Sequence, residues 1–100
     1  NPLCLRRARA LAPQIPRALL FESEQKWRLR AALAALAFGA AALHPEQVLA
    51  SPDRVRRWLR RGYSIGCWTV DDPDTAARLV ESGVTAIITN RPDVMRARWA

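Results

Sequence analysis

A chain of 100 residues with half its side chains hydrophobic forms one small domain or part of one, not an assembly of several. Its net charge of +7 rests on scattered arginines, with Lys26 the single lysine, which argues against a dedicated nucleic-acid-binding surface. The apolar run from Ala31 to Leu43 is shorter than the roughly 20 residues a bilayer span needs, and Gly39 interrupts it, so no membrane span is expected. In chain order, a helix is predicted over 3–12 and a strand over 17–22, after Pro16. A helix over 24–37 leads to a strand over 40–44. A helix over 52–61, opened by Ser51 and Pro52, precedes a strand over 63–70. Asp72 and Pro73 open a helix over 73–82, followed by a strand over 84–89 and a last helix over 92–98 behind Arg91 and Pro92. Serine or aspartate as N-cap and proline as first helical residue is the expected chemistry of a helix start.

Gly39, Gly62 and Gly83 are each followed at once by a short apolar run, 23 and 21 positions apart. A strand with its crossover helix needs about 20 to 30 residues, so the spacing suits a β/α array with parallel strands. The unit from Gly62 to Asp93 states this most clearly: Ile65, Cys67, Trp68 and Val70 make one strand. Ala76, Ala77, Leu79 and Val80 make a helix face, and Val84 to Ile88 a second strand.

Charge and cysteine usage add little chemistry. Arg54, Arg56, Arg57, Arg60 and Arg61 surround Trp58, yet Val55, Trp58 and Leu59 have i, i+3, i+4 spacing. The tryptophan is therefore expected in the core and the arginines on a solvated face. Cys4 and Cys67 match no metal spacing, and Cys67 is expected as a small apolar filler. Two cysteines and no leader segment point to a reducing, cytoplasmic compartment.

In a parallel β/α fold the C-terminal ends of all strands share one rim, where ligands bind. The residues landing there are Glu22 and Ser23, then His44, then Trp68, Thr69 and Asp71, then Thr89, Asn90 and Arg91. A helix N-terminus follows each strand end and offers unpaired N–H groups to an anion, so a small phosphate-bearing ligand is expected. Each residue has a plainer role open to it. His44 either meets ligand or bonds a loop carbonyl, Asp72 is foremost an N-cap, and Asp71 is by default a turn residue.

The string Trp68-Thr69-Val70-Asp71-Asp72-Pro73, with Gly83-Val84-Thr85-Ala86-Ile87-Ile88-Thr89-Asn90-Arg91-Pro92-Asp93, resembles the C-terminal signature of glycerophosphodiester phosphodiesterases. Ala12 to Leu20 and Leu43-His44-Pro45 resemble the family's preceding strands, so the likeness covers essentially the whole chain. It implies an α/β fold, the C-terminal half of a TIM (β/α)8 barrel with four parallel strands alternating with helices. Residues 1–100 would be the C-terminal portion of a single phosphodiesterase domain whose N-terminal half is absent.

The activity implied is that of a phosphoric diester hydrolase, converting glycerophosphodiesters to glycerol 3-phosphate and an alcohol. The family uses a divalent metal, Mg or Ca, and two histidines, from H-R-G, E-x-D and E-x-K motifs that do not occur in these residues. Neither metal ligands nor catalytic residues are thus expected in this segment, and alone it is expected to be inactive. Carried over by position, Trp68 lines the substrate pocket and His44 is a weaker candidate for its rim. Thr85 and Ala86 stand where the family has Asp-Gly, and Asn90 where it has aspartate. Expected partners are a small-molecule glycerophosphodiester and no nucleic acid, and the isolated segment is expected to self-associate through open sheet edges. Two other readings stay open: an unrelated phosphate-binding TIM-barrel or doubly wound enzyme, and a small basic binding module.

Overall fold

In the computed structural model, residues 2–23 and 39–99 are described. A first helix, α1 (Pro2–Leu11), leads to strand β1 (Ala18–Phe21), and β2 (Ala42–Pro45) runs into a short 3-10 turn at Gln47–Leu49. Then follow α2 (Pro52–Arg60), β3 (Ser64–Cys67), α3 (Pro73–Glu81), β4 (Ala86–Ile87) and α4 (Pro92–Trp99). The helix expected over 24–37 lies outside the described residues.

The helix starts follow the expected chemistry. Ser51 caps α2 by accepting from the Arg54 N–H, and Asp72 caps α3 by accepting from the Thr75 N–H at 2.9 Å. A proline at the first turn follows each cap, where its missing N–H leaves no donor unpaired.

All pairings are parallel and the strand order is β1-β2-β3-β4, the sequence order. This is the alternation of parallel strands and helices expected for half of a (β/α)8 barrel. The regular strands are shorter than the apolar runs that predicted them. The run expected over 84–89 keeps strand geometry only at Ala86–Ile87, because the Val84 N–H turns back to the Leu79 carbonyl of α3. Pairing nonetheless continues beyond the strand, with Ile88 N–H on the Cys67 carbonyl and Val70 N–H on the Ile88 carbonyl.

Alternation along the strands sorts their side chains between two faces. Leu19, Phe21, Leu43, Ile65 and Cys67 enter one cluster with Val55 and Trp58 of α2, Ala76 and Leu79 of α3, and Met95 of α4. Burying each of the larger side chains contributes about 1.5–3 kcal/mol. Phe21 and Trp58 meet edge to face with centroids 5.9 Å apart, so the tryptophan of the arginine-rich helix is core, as its spacing predicted. Around it Arg56, Arg57 and Arg60 face solvent, and Arg56 pairs with Asp53. The other face of the sheet presents Leu20, Ser64, Ala86 and Ile88, all exposed.

At the end where strands begin, Arg17 ties two entries together. Its guanidinium donates to the Ile15 carbonyl at 2.8 Å and the Gly39 carbonyl at 3.0 Å. The opposite end, where strands finish, is left to the loops that carry the candidate site.

Candidate functional site

The register builds the site in rows. Leu20 pairs with His44, and Gly66 with Ala86. Because Leu43 pairs with Ile65, His44 comes level with Gly66, and the next step brings Glu46 level with Trp68 in an isolated parallel bridge. His44, Glu46, Gly66 and Trp68 thus share the face turned away from the helices, since Leu43, Pro45, Ile65 and Cys67 between them are buried.

Gly66 decides where the imidazole can lie. A Cβ built on it would stand 3.0 Å from His44 Cδ2 and 3.1 Å from Nε2, so the ring packs directly over the glycine. Trp68 reaches across to the same strand: its Nε1–H donates to the His44 carbonyl at 2.7 Å. With that one donor used, the indole has only its apolar ring to offer a ligand. His44 and Trp68 are both half-buried, and the structure brings them together at the end of β2 and β3.

Glu46 belongs to this group and was not singled out from the sequence. Its Oε2 accepts from the Ser23 N–H at 2.7 Å and the Ser23 hydroxyl at 2.8 Å. These bonds, the backbone one foremost, hold its carboxyl below the usual range, so it is ionised at neutral pH. The available signal was its place two residues beyond His44, hence on the same face of the extended chain.

Gln47, also overlooked, ties the next pair of loops. Its N–H donates to the Trp68 carbonyl and its side-chain amide to the Thr69 carbonyl, each at 2.7 Å. Asp71 ties the last pair. One carboxylate oxygen accepts from the Thr89 hydroxyl and the Asn90 N–H, both at 2.8 Å. The Asn90 backbone bond and then the Thr89 hydroxyl lower its pKa. Asp71 is therefore a link between loops and not only a local turn residue. Arg91 is turned toward its own helix, where its guanidinium pairs with Asp93 at 3.2 Å. Asp72 is occupied as a cap, and Glu22 is exposed at the end of β1.

A nucleophile with an adjacent base is not what these residues assemble. They form a wall: an indole face, an imidazole, and a carboxylate held from one side. Burial pushes the Cys67 thiol up to about 11, which keeps it protonated and inert. Among the described residues, no group of three or more His, Cys, Asp or Glu side chains could hold a metal ion. No helix among them is long and apolar enough to cross a membrane.

The model of the glycerophosphoryl diester phosphodiesterase family matches residues 1–94. A glycerophosphodiester phosphodiesterase of Caldanaerobacter subterraneus subsp. tengcongensis is 29% identical over 97 residues, covering 95% of this chain and 38% of that protein. An Oleispira antarctica phosphodiesterase, solved in complex with the product sn-glycerol-3-phosphate, superposes with a TM-score of 0.84 at 24% identity. That match covers 99% of this chain and 39% of the other. A glycerophosphodiester phosphodiesterase from Parabacteroides distasonis gives a TM-score of 0.75 at 21% identity, over 100% of this chain and 42% of that one. The chain spans roughly two fifths of each, and the structural likenesses establish the fold.

Proposed function

Because this chain belongs to the glycerophosphoryl diester phosphodiesterase family, we propose that residues 1–100 are the C-terminal portion of one phosphodiesterase domain. The intact domain hydrolyses glycerophosphodiesters to glycerol 3-phosphate and an alcohol, in glycerophospholipid metabolism of the cytoplasm. In that reaction a water oxygen bonds to phosphorus, the bond to the head-group oxygen breaks, and a proton passes to the departing alkoxide. Enzymes of this family are generally metal-dependent, and a divalent ion, Mg or Ca, supplies charge stabilisation at the phosphoryl oxygens when bound. Among the described residues no group of three or more His, Cys, Asp or Glu side chains fits such an ion, and it is the family resemblance that assigns its ligands and the proton-transferring histidines to the preceding half.

This half supplies the binding wall. Trp68 packs on the glycerol carbons and excludes water, with His44 beneath it at the rim. The observation that carries this assignment is the orientation of the indole. Its N–H is tied to the His44 carbonyl, which fixes the ring at the strand end on the face opposite the helices.

Trp68→Ala in the full-length protein tests the reading. Removing an aromatic wall of this size should lower kcat/KM for glycerophosphocholine by about tenfold or more, in line with a few kcal/mol of lost packing. An unchanged value would remove Trp68 from the pocket. Absence of activity on every glycerophosphodiester in the unaltered protein would remove the function itself.

A further inference from the structure

The carboxylate of Glu46 is held from one side only. Both Ser23 donors converge on Oε2, while Oε1 accepts no hydrogen bond from a described residue. Such one-sided anchoring fixes the carboxylate without exhausting its acceptor capacity, which for two oxygens is about four lone-pair sites. The parallel bridge brings Glu46 level with Trp68 on the same face of the sheet, and the indole's own N–H is already committed to the His44 carbonyl. An apolar ring with no donor to give, sharing a face with an ionised acceptor, matches a ligand with C–H faces and hydroxyl donors. A polyol is such a ligand.

We propose that Glu46 is the specificity residue for the glycerol moiety, accepting hydrogen bonds from its hydroxyls while Trp68 covers its carbons. This rests on the phosphodiesterase reading above and extends it. The Glu46 carboxylate distinguishes a deacylated glycerophosphodiester, which has both hydroxyls to donate, from a phosphodiester that has none.

A carboxylate sharing a face with an indole could instead receive a cationic head group. Recognition of a quaternary ammonium by aromatic side chains uses a cage of rings around the cation. Here Phe21, Trp58 and Tyr63 are buried in the core on the helix side, so none of these three rings joins Trp68 on the face that carries Glu46. The hydroxyl reading is the one this arrangement favours.

The test compares Glu46→Gln with the unaltered full-length enzyme, purified with its divalent ion, on three diesters. Glycerophosphocholine has a cationic head group, glycerophosphoglycerol an uncharged one, and bis(4-nitrophenyl) phosphate has no hydroxyl at all. Glutamine keeps the shape and a bond from Ser23 but weakens acceptance at the outer oxygen. A hydrogen bond to a charged group is worth about 1.5–3 kcal/mol, so kcat/KM on both glycerol diesters should fall roughly ten- to hundredfold. Activity on bis(4-nitrophenyl) phosphate should stay within about twofold, which also reports that the variant is folded. A loss confined to glycerophosphocholine would overturn the proposal in favour of an ammonium site. An equal loss on all three would make Glu46 a strut for the Ser23 loop, and no loss on any would leave it without a role. If the unaltered enzyme cleaves bis(4-nitrophenyl) phosphate but neither glycerol diester, the phosphodiesterase reading fails first and takes this one with it.

Discussion

Gly66 has no side chain because His44 occupies the space one would need. Its own backbone is in an ordinary conformation, so the cost of adding a methyl falls entirely on the imidazole 3.0 Å away. Gly66→Ala should therefore destabilise the full-length protein by about 1–3 kcal/mol, the usual penalty for overpacking. In a His44→Ala background the obstructing ring is gone, and the same substitution should cost less than about 0.5 kcal/mol. Urea unfolding of the four proteins measures the coupling. An equal cost in both backgrounds would mean that the ring is not what Gly66 accommodates. This relation was not legible in the sequence, although both residues were in plain view. Alternation placed Trp68 opposite Cys67, and strand-end position put His44 at the rim. What brings His44 over Gly66, and Glu46 level with Trp68, is the register between neighbouring strands. A parallel register is set by crossover helices and packing, not by a turn whose residues can be read.

Helix ends were the most legible elements, because capping chemistry is local. Ser51 with Pro52 and Asp72 with Pro73 open α2 and α3 as read, and Gly62 and Gly83 close them with positive φ of 89° and 106°. The strand ends were less legible, since an apolar run says where burial continues and not where the ladder stops. The two closing glycines nonetheless differ in a way no sequence pattern states. A Cβ at Gly62 meets nothing within 4 Å, whereas at Gly83 it would stand 2.5 Å from Leu59 Cδ1. Alanine at either position carries the left-handed penalty of about 1–2 kcal/mol. At Gly83 the half-buried Leu59 must also move, adding about 1 kcal/mol or more. The urea midpoint of Gly83→Ala should accordingly fall below that of Gly62→Ala. Equal midpoints would show that Leu59 swings away without resistance, and that only backbone strain counts at these two helix ends.

At the scale of the whole molecule, the spacing of glycines and apolar runs was enough to give four parallel strands in sequence order. Family membership then sets aside the reading of a small basic binding module. Each neighbouring pair of strand-end loops is joined by a polar side chain, Ser23 to Glu46, Gln47 to Thr69 and Asp71 to Thr89. The rim is thus braced internally, while the two sides of the sheet are not. β1 and β4 are outer strands, and a parallel sheet is stable in water only when both of its faces are covered. Here one face leaves Leu20 56% and Ile88 41% exposed. Closing the barrel would remove both strand edges and cover that face. Expressed by itself, the 100-residue chain should therefore self-associate, adding strands across its open edges. Its charge of +7 opposes contact between copies at long range, and salt screens that repulsion over about 10 Å at 0.1 M. Sedimentation equilibrium should then give a mass above 11.2 kDa that rises as salt is added. A single species of that mass at every salt concentration, unfolding cooperatively in urea, would show that the sheet tolerates its open sides. The half-barrel would then be an independent folding unit, and the exposure of Leu20 and Ile88 would cost the isolated chain nothing that its core does not already offset.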